Sequence, residues 1–356
     1  MDRHGDLSVL NDLTNGITVI IRIILNKKLG VLVNMMRSLY SGVAGLTSHQ
    51  TRMDVIGNNI SNVNTYGFKA SRTTFADVYY QATQSATAGN ASFAGNNPST
   101  VGYGVQVNSI DKDMSMTSFQ STNRTLDLAV SGAGYFITST FTSGADGKVA
   151  ATAKPTTTSY TRMGNLGIDS SGNLVSSMNT YVLGTNNTED GLAATGDASA
   201  TALAAVATAG TSAGLTYANR ININDLINKA WEVDPDITYA DLSSFTVGTD
   251  GVISASYNGE IKALARIDLA VFDNQEGLIE AGNTSFSETA ASGTAKIKKS
   301  GDSGTGTISS GKLEMSNVNL AGEFSDMIVT QRGFQANARI ITTSDTMLEE
   351  LVNLKR

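Results

Sequence analysis

The sequence predicts an α+β multidomain fold, with paired long helices at the two termini and a β-rich body inserted between them. Two patterns predict it. Apolar residues recur at helical spacing near both ends, whereas between them they alternate with polar ones at the period of a strand. Composition agrees: 35 glycines, 6% aromatic residues and no cysteine describe small side chains and turns with few large anchors.

The first 34 residues stand apart. Val19 to Leu25 is apolar but interrupted by Arg22 and followed by Lys27 and Lys28. A membrane span needs about 20 apolar residues, so none is expected here. Asp2 and Asp6 offset Arg3, and no small-residue cleavage site follows the run, so a secretory signal is not read either. A poorly packed extension, ahead of an internal start at Met35 or Met36, is the expectation.

From Met36 to about Asn64 the pattern is helical. Leu39, Val43, Leu46, Met53 and Ile60 keep a four-three alternation once Gln50 and Gly57 are counted, and Ile56 widens the face. Gly42, Gly45 and Gly57 each cost about 1 kcal/mol relative to alanine but admit a second backbone closely. Asn58, Asn59, Ser61, Asn62 and Thr65 compete for backbone hydrogen bonds, and Gly67 supplies a permissive dihedral before Phe68. A helix end and turn belong there.

The body follows. Leu126, Leu128 and Val130 alternate like a strand with one buried face, before a turn at Ser131–Gly134 and the run Tyr135-Phe136-Ile137. Tyr160-Thr161-Arg162 leads to Leu166-Gly167-Ile168, and Asp169 to Asn173 makes a hairpin-type turn. From about Thr185 to Gly214 the composition shifts to Ala, Thr, Gly and Asn; a short helix fits Ala200–Ala207, and a small peripheral domain fits the whole region. Trp231, Phe245 and Val247 are expected in its core. Ile267, Leu269 and Val271 mark another strand, and Lys296, Lys298 and Lys299 read as a solvated loop.

The strongest periodicity comes last. Leu320, Phe324, Met327, Gln331, Phe334, Ala338, Ile341, Asp345, Leu348 and Val352 alternate by four and three without a break. A helix from about Asn319 to Leu354 would span roughly 50 Å. The polar seam positions Gln331 and Asp345 either fix register or face a water-filled gap or polar loop. Neither amphipathic helix can bury its face alone, so each packs on the domain, on the other helix or on another molecule.

Several chemistries are excluded or unsupported. The net charge of −7 lacks the basic footprint of a nucleic-acid binder. Without cysteine there is no thiol nucleophile and no sulfur-ligated metal. His4 and His49 are the only histidines, and His49 has no acidic residue at helical spacing. Asp111-Lys112-Asp113 lacks the ligand spacing of a calcium loop, and Gly102-Tyr103-Gly104 opens no phosphate motif. No catalytic, cofactor-binding or metal residue is nominated. A carbohydrate-processing enzyme would need a carboxylate pair across a cleft, which this sequence does not place.

Longer motifs point to a family. Met36-Arg37-Ser38-Leu39-Tyr40-Ser41-Gly42-Val43-Ala44-Gly45-Leu46, then Asn58 to Thr65 and Gly67-Phe68-Lys69, resemble the amino-terminal signature of bacterial flagellar rod and hook proteins. Leu313-Glu314-Met315-Ser316-Asn317-Val318 and Thr330-Gln331-Arg332-Gly333-Phe334-Gln335-Ala336-Asn337 resemble the carboxyl-terminal one. The closing run Met347 to Arg356 is similar to that of hook proteins.

The resemblance implies a structural subunit of the flagellar hook, a flexible helical tube passing torque from rod to filament like a universal joint. Its partners would be copies of itself, the distal rod protein, the hook cap protein, the hook–filament junction protein and the flagellar type III export apparatus. Export would use no cleaved signal peptide, and the tube would lie outside the cell. The helix residues listed above would form the assembly interface. Residues 35–75 and 314–356 would be the helical core with its connecting segment, 76–184 and 260–313 a β-rich middle domain, and 185–259 a small outer one. The alternatives are a distal rod subunit, which shares the terminal motifs, and, from another class, a secreted adhesin.

Overall fold

The computed structural model describes residues 36–90, 94–141, 156–186, 192–193, 219–231, 239 and 242–353. The expected extension (1–34) and the Ala200–Ala207 run lie outside them. The described residues divide into two compact units, one of those within 1–60, 71–111 and 320–356, the other of those within 61–70 and 112–319.

In the first unit two helices lie side by side: α1, over residues 36–61, and the 34-residue helix Leu320–Asn353. The predicted Asn319–Leu354 helix is therefore observed over nearly its whole length. Alongside, strand Ser71–Asp77 pairs with Val105–Lys112, and Tyr80–Gln84 forms a separate antiparallel ribbon with Ser99–Gly102. Every residue of that ribbon is exposed.

The second unit is the β-rich body. Its largest sheet is organised on Glu260–Val271, a 12-residue strand buried along most of its length. That strand pairs antiparallel with Val252–Tyr257, Tyr181–Asn186, Tyr135–Thr140 and Lys296–Lys299. Leu128, Ala129 and Val130 are all completely buried, so this strand is covered on both faces and not on the one its alternation implied. The Lys296–Lys299 segment is a strand and not the loop expected. Lys296 and Lys299 are exposed and Lys298 is half-buried, with Lys296 Nζ 2.6 Å from Asp273 Oδ1 and Lys298 Nζ 2.9 Å from Ser303 O.

A short helix was not anticipated. It is α2, Ile223–Trp231, and the long helix Leu320–Asn353 is α3. Asn222 caps α2 by accepting the Asp225 N–H on its side-chain oxygen at 3.1 Å, and Ile223, Leu226 and Ile227 bury its inner face. Phe245 joins the core cluster that also holds Leu128, Phe136 and Leu269, and Trp231 and Val247 pack against that same cluster.

Candidate assembly interface

The two terminal helices carry the residues expected at an assembly interface, and the geometry of the pair follows from which side chains meet. Ser38 Oγ lies 3.2 Å from Ser344 Oγ. Gly42 packs against Ile341, Gly45 against Asn337 and Gly333 against His49. Arg52 Nη2 is 3.3 Å from Asp326 Oδ2, and Asn59 Nδ2 donates to Glu323 Oε1 at 2.9 Å. Each step up α1 is matched by a step down α3, so the helices are antiparallel.

This seam is not the apolar stripe. On α1 the inward residues Ser38, Gly42, Gly45, His49, Arg52, Ile56 and Asn59 themselves alternate by four and three, one position ahead of the series that begins at Leu39. One residue is about 100° of helix rotation. The small and polar face therefore closes the intrachain contact, and much of the apolar stripe is turned aside. Leu39, Leu46, Met53 and Ile60 are half-buried and Val43 is exposed; only Ile56 is buried. On α3, Met327, Phe334, Ala338, Ile341 and Leu348 are half-buried, while Leu320, Phe324, Gln331, Asp345 and Val352 are exposed. Ile328 and Val329 add to this outer apolar surface, each more than half exposed.

Small residues explain the close approach. A Cβ on Gly45 would lie 2.5 Å from Asn337 Nδ2, and one on Gly333 would lie 2.7 Å from His49 Nε2. The propensity lost at these glycines is spent on proximity.

The turn motif divides in the same way between exposed and buried members. Asn59 is almost fully buried and holds three partners: its side chain donates to Ser71 O at 2.8 Å, accepts the Ser71 N–H at 3.0 Å, and donates to Glu323. It thereby ties the end of α1 to the next strand and to the start of α3. Burial raises the Glu323 pKa, opposed by the Asn59 hydrogen bond. Asn62 O accepts the Thr65 N–H at 3.1 Å, and the Thr65 hydroxyl meets the Asn62 side chain at 3.2 Å, closing the turn. Asn58 and Ser61 are exposed.

Gly67 and Phe68 lead into a buried charge cluster in the second unit. Gly67 has φ +70°, and a Cβ there would meet the backbone N of Met163 at 2.9 Å. Its N–H donates to Glu314 O at 2.9 Å. Lys69 Nζ sits 2.6 Å from Glu314 Oε1, and Arg162 Nη1 3.4 Å from Glu314 Oε2. All three side chains are at least 98% buried. Lys69 also donates to Ser115 O at 2.8 Å, and the Arg162 guanidinium lies 4.9 Å from the Tyr135 ring centroid. Burial pushes the Lys69 pKa down, with the Glu314 carboxylate opposing it. Lys69, Glu314 and Arg162 were not nominated from the sequence, although all three stand inside quoted motifs; a charge flanked by glycine and apolar residues was the available signal.

The comparisons agree with the termini. Residues 39–69 match a family model described as flagella basal body rod protein, and residues 309–354 match one described as flagellar basal body rod FlgEFG protein C-terminal. A flagellar basal-body rod protein FlgG of Bacillus subtilis is 40% identical over 324 residues, covering 90% of this chain and all of that protein. The chain belongs to the flagellar basal-body rod and hook protein family. Within that family, the flagellar hook protein FlgE of Borreliella burgdorferi is 34% identical over 463 residues, again covering 90% of this chain and all of the relative. The FlgG rod protein of the same organism is 31% identical over 331 residues, with the same coverage. The paired helices and the β-rich body between them are thus the architecture of a rod or hook family member.

Proposed function

We propose that this chain is a structural subunit of the distal rod of the flagellar basal body, polymerising with copies of itself into a helical tube. The sequence motifs alone had pointed to the hook, with the distal rod as the alternative; the comparisons weigh toward the alternative. The observation that carries the reading is the alignment with the Bacillus rod protein. It needs 324 positions for the 90% of this chain it covers, about 320 residues, so the relative has almost nothing this chain lacks. The Borreliella hook alignment needs 463 positions for the same share, leaving about 140 positions with no residue of this chain.

The exposed apolar residues of α1 and α3 are the assembly surface in this reading, because polar and small side chains close the contact within the chain. Burying one large apolar side chain against a neighbour contributes about 1.5–3 kcal/mol. The subunit's partners are the hook protein above it, the adjoining rod subunits and the type III export apparatus, through which it passes without a cleaved signal peptide.

A hook subunit is the second reading, favoured by the residues inserted between 185 and 259 and by the closing run at Met347–Arg356. In that case the hook cap and hook–filament junction proteins are its neighbours. Electron microscopy of basal bodies from a strain lacking the gene separates the two. Truncated rods are expected; complete rods without hooks would replace this reading by the hook, and normal rods and hooks would overturn both.

A further inference from the structure

His49 is the only histidine among the described residues, and the assembly surface makes no use of it. Its ring is wedged into the helix seam. Nε2 points at the Cα side of Gly333, where even a methyl group would lie only 2.7 Å away. The ring meets Phe75 edge-on at a centroid distance of 6.0 Å. Nδ1 is buried without a hydrogen-bond partner. The neutral ring fills the notch over Gly333, and a slip of either helix by one turn would put a side chain where the glycine stands. A second ring proton would have to be placed either on the unpartnered nitrogen or against the Gly333 backbone.

The charges around it offer no compensation. Arg52 lies on the same helix face and is itself paired with Asp326 on α3. Glu323 on α3 is taken by Asn59, and Arg332 by Gln335. Among the strands packed alongside, Arg72 pairs with Asp111, and Asp77 interacts with Tyr80. Burial, followed by the Arg52 charge, lowers the His49 pKa below its ordinary value.

We propose that the His49–Gly333 contact is a proton-operated lock on the antiparallel helix pair: neutral His49 holds α1 and α3 in register, and a proton on its imidazole releases them. The lock belongs to the pair itself and stands whether the tube is rod or hook.

The direction follows from linkage. An opened pair carries an ordinary histidine that takes up a proton near pH 6.5, whereas the closed pair takes it up only at lower pH. The ratio of closed to open pair therefore falls as pH drops below 6.5, by up to about tenfold per pH unit, and levels off below the closed-state value. Glu323 cannot imitate this, because a raised carboxyl pKa makes acid favour the closed pair.

The absence of cysteine permits a direct test on the full chain. Spin labels at T47C and Q335C, both exposed and on facing turns, report the interhelix distance by pulsed electron paramagnetic resonance. A narrow distribution is expected at pH 8, and at pH 5.5 the share of a broad, open component should grow by up to about tenfold. H49Q, which cannot be protonated, should give the same distribution at both pH values, and G333A should broaden it at pH 8 already. Identical wild-type distributions at the two pH values overturn the proposal, as does a pH response that persists in H49Q. An unaffected G333A overturns the steric part. No defined distance in the wild type at pH 8 overturns the whole, and the wild-type comparison decides the question even if H49Q loosens the pair by itself.

Discussion

Replacing Glu314 by glutamine removes the carboxylate that the two buried cations Lys69 and Arg162 share. Lys69, Arg162 and Glu314 are 1%, 2% and 0% exposed, so water cannot take over the lost partner. Removing one member of a buried pair costs about 3–5 kcal/mol, because the charge left behind has been desolvated without compensation. For a unit of 150–250 residues each kcal/mol shifts the thermal midpoint by about 2–4 °C. The unit formed by 61–70 and 112–319 falls in that range, so Glu314→Gln should lower its midpoint by about 6–20 °C. Near-ultraviolet circular dichroism and the fluorescence of Trp231, which packs against this unit's core, follow the transition. The variant should also gain stability as pH rises toward 10.5. Burial already lowers the Lys69 pKa, Glu314 opposes it most, and the unfolded chain then binds the extra proton over that window. Replacing all three by apolar residues (K69M, R162M, E314L) should recover most of the loss, since no charge remains to be buried. A Glu314→Gln midpoint within about 2 °C of wild type would refute the reasoning.

Three further outcomes follow. Asn59→Ala should destabilise the helix pair by about 1–3 kcal/mol, read by denaturant unfolding or amide exchange over 36–61, because it orphans both backbone groups of Ser71 and frees Glu323. Phe324→Asp and Ile328→Asp sit on exposed positions and should abolish polymerisation, measured by sedimentation, while shifting the unfolding of the chain by no more than about 0.5 kcal/mol. Burial, followed by the Glu288 charge, raises the Tyr160 phenol to about 12 from 10.0. The folded state therefore keeps its proton after the unfolded chain has lost it, and up to about 3 kcal/mol of stability should disappear as pH rises from 10 to 12. Tyr160→Phe should flatten that slope; an unchanged slope would assign the alkaline loss to other groups.

Much of the fold was legible because its signals are local. Ten stripe positions from Leu320 to Val352 were enough to place α3, and Asn59 to Gly67 announced the break after α1. Other elements were hidden where a local signal misleads. Lys296–Lys299 looked like a solvated loop, yet a strand that exposes Lys296 and Lys299 has the same composition. Ile223–Trp231 is too short for its periodicity to stand out, and its cap Asn222 is one of many asparagines.

The candidate interface divides along the same line. Apolar residues at Leu39, Val43, Phe324 and Val352 could be picked out because helical spacing alone puts them on one face. Which face turns inward could not, since two series with the same four-three spacing run one residue apart on α1. Residue type favours the apolar series, but the close approach needs Gly42, Gly45 and Gly333, and only the facing helix reveals that need. The charge cluster is still less local: Lys69, Arg162 and Glu314 are separated by 93 and 152 positions, and their ionic pairing is visible only after the chain has brought them together. By itself the sequence determined the two terminal helices, several strands of the body and their amphipathic faces, because these depend on neighbours within a few residues. Tertiary structure decided which faces meet, because that depends on shape and charge supplied from distant parts of the chain.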